Sequence, residues 1–114
     1  MGYYTYYKLT WEHADDVTYG RIGEYICDHP DTVGRAVDTD GESQEEPVKW
    51  YEHMRDMRAM SAEFPGVLFT LHGEGEEAGD LWRSYFRDGK GYSIGAVITY
   101  PEFDEAQLTD ADPQ

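Results

Sequence analysis

Side chains alternate in character with period two from Tyr3 to Glu12, with Tyr3, Thr5, Tyr7, Leu9 and Trp11 on one side and Tyr4, Tyr6, Lys8 and Thr10 on the other. Alternation in a stretch rich in aromatic and β-branched residues predicts a strand with one buried face. Asp15 or Asp16 then caps a helix carrying Val17, Ile22, Tyr25 and Ile26, which Gly20 and Gly23 weaken. From Asp28 to Pro47 the chain is acidic and interrupted by Pro30, Gly34 and Gly41, which predicts a loop with one short strand at Ala36 and Val37. The clearest periodicity runs from Val48 to Glu63. Trp50, Met54, Met57, Ser61 and Phe64 recur at helical spacing, opposite Glu52, Arg55, Asp56, Arg58 and Glu63, and Pro65-Gly66 ends the run.

Val67 to His72 is apolar and of strand length, and Gly73 to Asp80 is a glycine-rich acidic turn. Leu81 to Arg87 and Tyr92 to Tyr100 flank Asp88-Gly89-Lys90-Gly91, and an Asp-Gly there is a strong short-range hairpin signal. Tyr92, Ile94, Ala96, Ile98 and Tyr100 share one face of the second arm of that hairpin. The order of elements predicts an α+β two-layer sandwich. It consists of an antiparallel sheet ending in a three-strand meander, with one or two helices on one face through the Trp and Met stripe. A ferredoxin-like connectivity fits that order. At 114 residues the chain makes one domain, taken as residues 1–103, followed by an acidic, flexible tail at 104–114.

Charge changes this picture more than composition does. There are 24 Asp and Glu against 9 Lys and Arg, a formal net charge of -15. Such a field repels nucleic-acid phosphates and anionic lipid, and it attracts basic protein surfaces. Direct nucleic-acid and membrane partners are therefore disfavoured, and a basic protein is the expected partner. The same composition, with only Lys8, Lys49 and Lys90 as lysines, is also how proteins of salt-loving organisms keep a hydrated surface. The 15% aromatic content supplies large apolar surfaces and argues against disorder throughout. A single cysteine, Cys27, allows no internal disulfide, and no apolar run reaches the roughly 20 residues of a membrane helix. The host-cell cytoplasm is the expected location.

Candidate chemistry is thin. Cys27 and His29 form a possible thiol and base pair without an orienting third group, and a small buried thiol is the simpler reading. His13, His29, His53 and His72 lack metal-ligand spacing. Asp38-Thr39-Asp40-Gly41-Glu42 starts like a calcium loop, but Ser43 and Lys49 stand where that loop needs Gly and Glu. Gly73 to Asp80 follows a strand as a phosphate loop does, yet its four acids would repel phosphate. No metal, cofactor or catalytic residue is assigned. A small hydrolase with a cleft converging on His53, His72 or Asp80 is the enzymatic alternative. A structural domain assembling through Tyr4 and Tyr6 on an open edge is the other.

The strings Lys49-Trp50-Tyr51-Glu52-His53-Met54-Arg55-Asp56-Met57, Phe64-Pro65-Gly66-Val67-Leu68-Phe69-Thr70-Leu71, Gly73-Glu74-Gly75-Glu76-Glu77 and Gly79-Asp80-Leu81-Trp82, followed by Tyr85-Phe86 and Gly89-Lys90, resemble a family of small uncharacterised phage and prophage proteins. The resemblance implies a viral or mobile-element origin and carries no catalytic role to any residue. With the acidity, it leads to the expectation of a non-enzymatic protein that binds a basic host surface. One form of such binding is inhibition of a host defence or nucleic-acid-binding factor by imitating the charge of DNA. The expected contact residues are Glu74, Glu76, Glu77 and Asp80, then Asp38, Asp40 and Glu42.

Overall fold

The computed structural model describes residues 3–110. In chain order the elements are β1 (Thr5–Glu12), α1 (Asp16–Asp28), α2 (Val33–Ala36), α3 (His53–Glu63), β2 (Leu68–Gly75), β3 (Leu81–Arg87) and β4 (Lys90–Gly95), then one 3-10 turn at Glu105–Gln107. The four strands form one antiparallel sheet in the order β1-β2-β3-β4. This is the expected α+β architecture with a meander. Its connectivity is not ferredoxin-like, because that arrangement needs a strand between the helices, and the segment expected to supply one is helical.

The reason lies in the backbone around α2. Gly34 packs so closely on the end of α1 that an added Cβ would lie 2.5 Å from the Ile26 carbonyl oxygen and 2.8 Å from that of His29. Its own N–H donates to the His29 carbonyl at 2.9 Å. Held there, Val33 to Ala36 makes a single turn of helix that buries Val33 and Ala36. Val37 alone leaves in extended conformation and bridges to Ser43. The start of α1 is as expected: the Asp15 carboxylate accepts from the Thr18 N–H at 2.8 Å, a cap worth about 1 kcal/mol.

Helix α3 starts five residues later than the periodicity suggests, at His53 instead of Val48. Val48 exchanges two backbone hydrogen bonds with Thr5, at 2.9 and 3.0 Å, and a residue paired to a strand edge cannot also be helical. Of the expected stripe Trp50, Met57, Ser61 and Phe64 are buried, Met54 is only partly so, and Met60 joins the buried face. They meet an inner sheet face of Tyr7, Leu9, Phe69, Leu71 and Phe86, with Ile22 and Ile26 of α1 and Val33 of α2 completing the core. Each fully buried side chain of this size contributes about 1.5–3 kcal/mol.

Strand β2 runs on to Gly75, through glycines read from the sequence as a turn. Gly73 faces Trp82 across the ladder, and a Cβ there would sit 2.1 Å from the indole ring. The absence of a side chain is therefore a packing requirement, because the Trp82 ring lies over the strand. Strand β4, by contrast, ends at Gly95 and not at Tyr100. Leu81 is the first residue of β3, and its carbonyl takes the Ala96 N–H at 2.9 Å. Beyond that bond there is no partner strand to extend the ladder.

The hairpin forms at Asp88-Gly89, but Lys90 and Gly91 belong to β4 and not to the loop. Both turn residues have positive φ (53° and 80°) and Arg87 pairs with Lys90, the geometry of a two-residue type I′ turn. It is also docked onto the helical layer. The Ser61 hydroxyl accepts from the Gly89 N–H at 2.9 Å and donates to the Arg58 carbonyl at 3.0 Å. Asp88 accepts from the Gly66 N–H at 2.9 Å. Ser61→Ala strips the partner from the Gly89 N–H without altering the core volume much. It is expected to lower stability by about 1–3 kcal/mol, read as a fall in the urea midpoint at unchanged denaturant slope.

Candidate functional site

Six of the seven acidic residues expected to meet a partner fall into two loops along β1, and the seventh, Glu74, pairs within β2. The β2–β3 turn is a braced structure. Gly75 N–H donates to the Asp80 carbonyl at 2.9 Å, Asp80 N–H to the Glu77 carbonyl at 3.1 Å, and Gly79 adopts φ 83°. The Tyr3 hydroxyl donates to the Asp80 carboxylate and accepts from the Glu77 N–H at 3.1 Å. That bond to Asp80 is the main reason the Tyr3 phenol is held above its ordinary range. Asp80 thus holds the loop, whereas Glu74, Glu76 and Glu77 are exposed.

The second loop divides in the same way. Asp38 turns one carboxyl oxygen inward to accept from the Asp40 and Glu42 N–H groups at 2.8 and 3.0 Å, which is the local capping that Asp favours in turns. Gly41, at φ 83°, presents its carbonyl to the Leu9 N–H at 2.8 Å. An added Cβ there would lie 2.0 Å from the Leu9 carbonyl oxygen. All three acids are exposed, and Asp38 differs in having one carboxyl oxygen engaged within the loop.

Since Gly75 pairs with Thr5 and Gly41 bonds to Leu9, the two loops are fixed about 13 Å apart along β1, at about 3.3 Å per residue. Glu45 and Glu46 lie in the segment that runs along the β1 edge between those anchor points. None of the seven expected contact acids forms an ion pair. Among the described residues the ion pairs are those of Arg55, with Glu52 at 3.2 Å and Asp56 at 3.1 Å.

The same segment closes the edge proposed for assembly through tyrosine. Bonds at Thr5 and Leu9 cover β1, and the Lys49 ammonium lies 4.9 Å from the centre of the Tyr4 ring. The uncovered edge is β4.

Sequence reasoning did not find the outer face of the sheet. The register sets Lys8 opposite His72, His72 opposite Arg83 and Arg83 opposite Ile94, forming one row across all the strands. Tyr6, Glu74 and Leu81 flank this row on one side, and Thr10, Thr70, Tyr85 and Tyr92 flank it on the other. No helix packs on this face, and a groove of about 880 Å³ runs over it. Burial, then the neighbouring Arg83 and Lys8 charges, hold the His72 imidazole below its ordinary pKa. The only hint in the sequence is Lys8 among the tyrosines of the outward side of β1. Its partners come from segments more than 60 residues away.

Other candidates are separated by the fold. Cys27 is exposed, not buried, because α1 turns Ile22 and Ile26 inward and position 27 falls on the outer side. The His29 Nδ1–H donates to the Tyr25 carbonyl (2.7 Å), and its ring stacks on the Tyr25 ring at 3.8 Å. His53 stacks on Trp82 beneath the sheet, His72 lies on the opposite face, and Asp80 is tied to Tyr3, so these three do not converge. Among the described residues no cluster of His, Cys, Asp and Glu is arranged to hold a metal, and no helix is long and apolar enough to cross a membrane. Comparison of the chain with protein-family models, curated proteins and solved structures finds no match.

His72 makes the sheet face sensitive to pH. Its folded pKa lies below the unfolded value, so the neutral ring stabilises the fold fully above about pH 6.5, and that contribution fades as pH falls through the lowered value. The unfolding free energy of the wild type, compared with His72→Gln in urea titrations, is therefore expected to drop as pH falls below about 6.5. Parallel curves would show that the ring is solvated in the fold.

Proposed function

We propose that this chain is a non-enzymatic, phage-type binding protein whose acidic loops engage a basic surface of a host protein. The observation that supports this reading is that Glu74, Glu76, Glu77, Asp40 and Glu42 are exposed and lack ion-pair partners, with Glu74 near the end of β2 and the others on loops anchored to β1. Unpaired carboxylates on rigid supports favour association because their side chains compete with no internal cation and the loops lose little freedom on binding. Asp38 and Asp80, grouped with them by sequence, act instead by shaping the loops that present the others. A host factor that ordinarily binds nucleic acid offers a positive surface of the kind required, and a protein with a net charge of -15 approaches it with electrostatic steering. The resemblance of the Lys49 to Lys90 region to small phage proteins supports the host-directed part of the reading.

Affinity capture from host lysate tests it, using the wild type and a Glu74→Gln, Glu76→Gln, Glu77→Gln variant at two salt concentrations. A basic protein should be retained by the wild type near 0.05 M salt and released near 1 M, where charges are screened within about 3 Å. The variant should retain at least about tenfold less, a loss of roughly 1.4 kcal/mol spread over three charges. Equal retention by both proteins at both salts would reject the electrostatic mechanism and leave the acidity as adaptation to solvent.

A further inference from the structure

The chain beyond β4 is an arm. Ala96 makes the last sheet hydrogen bond, to Leu81, and Ile98 passes beside Gly79. The backbone thus leaves at the β2–β3 turn and heads away from its own sheet. The radius of gyration of 18.4 Å and the 58 Å long axis reflect this projection, since a compact chain of this length has a radius near 13 Å. The arm does not have the composition of a solvated tail. Tyr100, Phe103 and Leu108 are 86%, 75% and 65% exposed, and Glu102, Asp104 and Glu105 lie among them. Asp104 organises the segment locally, accepting from the Ala106 N–H at 3.0 Å and the Gln107 side chain at 3.2 Å.

The outer sheet face has the complementary character. Lys8, His72 and Arg83 form a row of basic side chains in a protein that is otherwise strongly acidic, with Tyr6, Tyr85 and Ile94 around them. The acid on that face nearest the row, Glu74, stands to one side, opposite Tyr6. An acidic segment carrying aromatic side chains fits such a surface through charge pairing at its centre and apolar contact at its margins.

We infer that the open sheet face is the receptor for the Tyr100–Leu108 arm of a second copy of this chain, so that two molecules exchange arms about a two-fold axis. The exchange buries the exposed aromatic residues of both arms and sets Glu102, Asp104 and Glu105 against Lys8 and Arg83. Because a two-fold contact uses each element twice, both open surfaces are satisfied in a closed dimer. Of the acids assigned to host binding, Glu74 alone lines this face, and Glu76, Glu77, Asp40 and Glu42 stand outside the contact, so it is separable from the host-binding reading.

Sedimentation equilibrium of the full chain over about 5–200 µM is expected to show a species of twice the 13.1 kDa chain mass. Tyr100→Ser with Phe103→Ser, and separately Lys8→Glu with Arg83→Glu, should each weaken dimerisation at least about tenfold, while Glu76→Gln with Glu77→Gln leaves it unchanged. All the substituted side chains are exposed, and unchanged circular dichroism would show that the variants fold. Mixing the arm variant with the sheet variant restores one intact arm and receptor pair, and the mixture should form a heterodimer tighter than either variant alone. A monomeric wild type across the range, or a dimer that the arm and sheet variants leave intact, would overturn the inference.

Discussion

The ladder between β1 and β2 is the contact on which the rest of the structure depends. It joins residues 5–12 to residues 68–75, so closing it confines everything between, including all three helices, to a single loop. The entropic cost of that closure grows only slowly with length, and it is met by burial of Tyr7, Leu9, Phe69 and Leu71 on one face. The register of this ladder decides which side chains look inward. If β1 slipped by one residue along β2, Leu9 would turn outward and Lys8 inward while Phe69 and Leu71 stayed in the core, so the apolar inner face and the basic outer row are consequences of the same alignment.

From that ladder the other features follow. The chain returning from α2 meets β1 on its free side, and its bonds at Leu9 and Thr5 cover an edge that would otherwise be open to other strands. The same bonds fix the Asp38 to Glu42 loop in place and delay the start of α3. On the far side the docking of the Asp88-Gly89 turn on Ser61 ties the meander to the helical layer. Trp82, lying over Gly73 and against Tyr7 and His53, fills the space between.

The distribution of charge acquires meaning only on this frame. In the sequence the carboxylates form several similar blocks. In the structure Asp38 and Asp80 are consumed by the loops they shape, whereas Glu74, Glu76, Glu77, Asp40 and Glu42 face outward, and the few cations on the open sheet face stand in one row. A protein with this much negative charge repels copies of itself at long range, so any contact between two of them must rest on local complementarity of the kind the basic row and the acidic arm provide.

Local chemistry determined what the sequence by itself could establish. The alternation in β1, the Asp15 cap, the buried Met57, Ser61 and Phe64 of the α3 stripe and the hairpin at Asp-Gly each depend on residues within a few positions of one another, and each is present. Readings that depended on distant partners came out differently. Ala36 is helical because Gly34 packs on α1, Val48 is extended because Thr5 claims it, β2 continues through Gly73 because Trp82 lies over it, and β4 stops because β3 does. The acids were legible as blocks in the sequence, but the division between those that brace the loops and those left free was not, since it rests on Tyr3 and Leu9. The row of Lys8, His72 and Arg83 was invisible for the same reason. Side-chain period is written in each strand, whereas register, which brings three strands together, is decided only when the sheet closes.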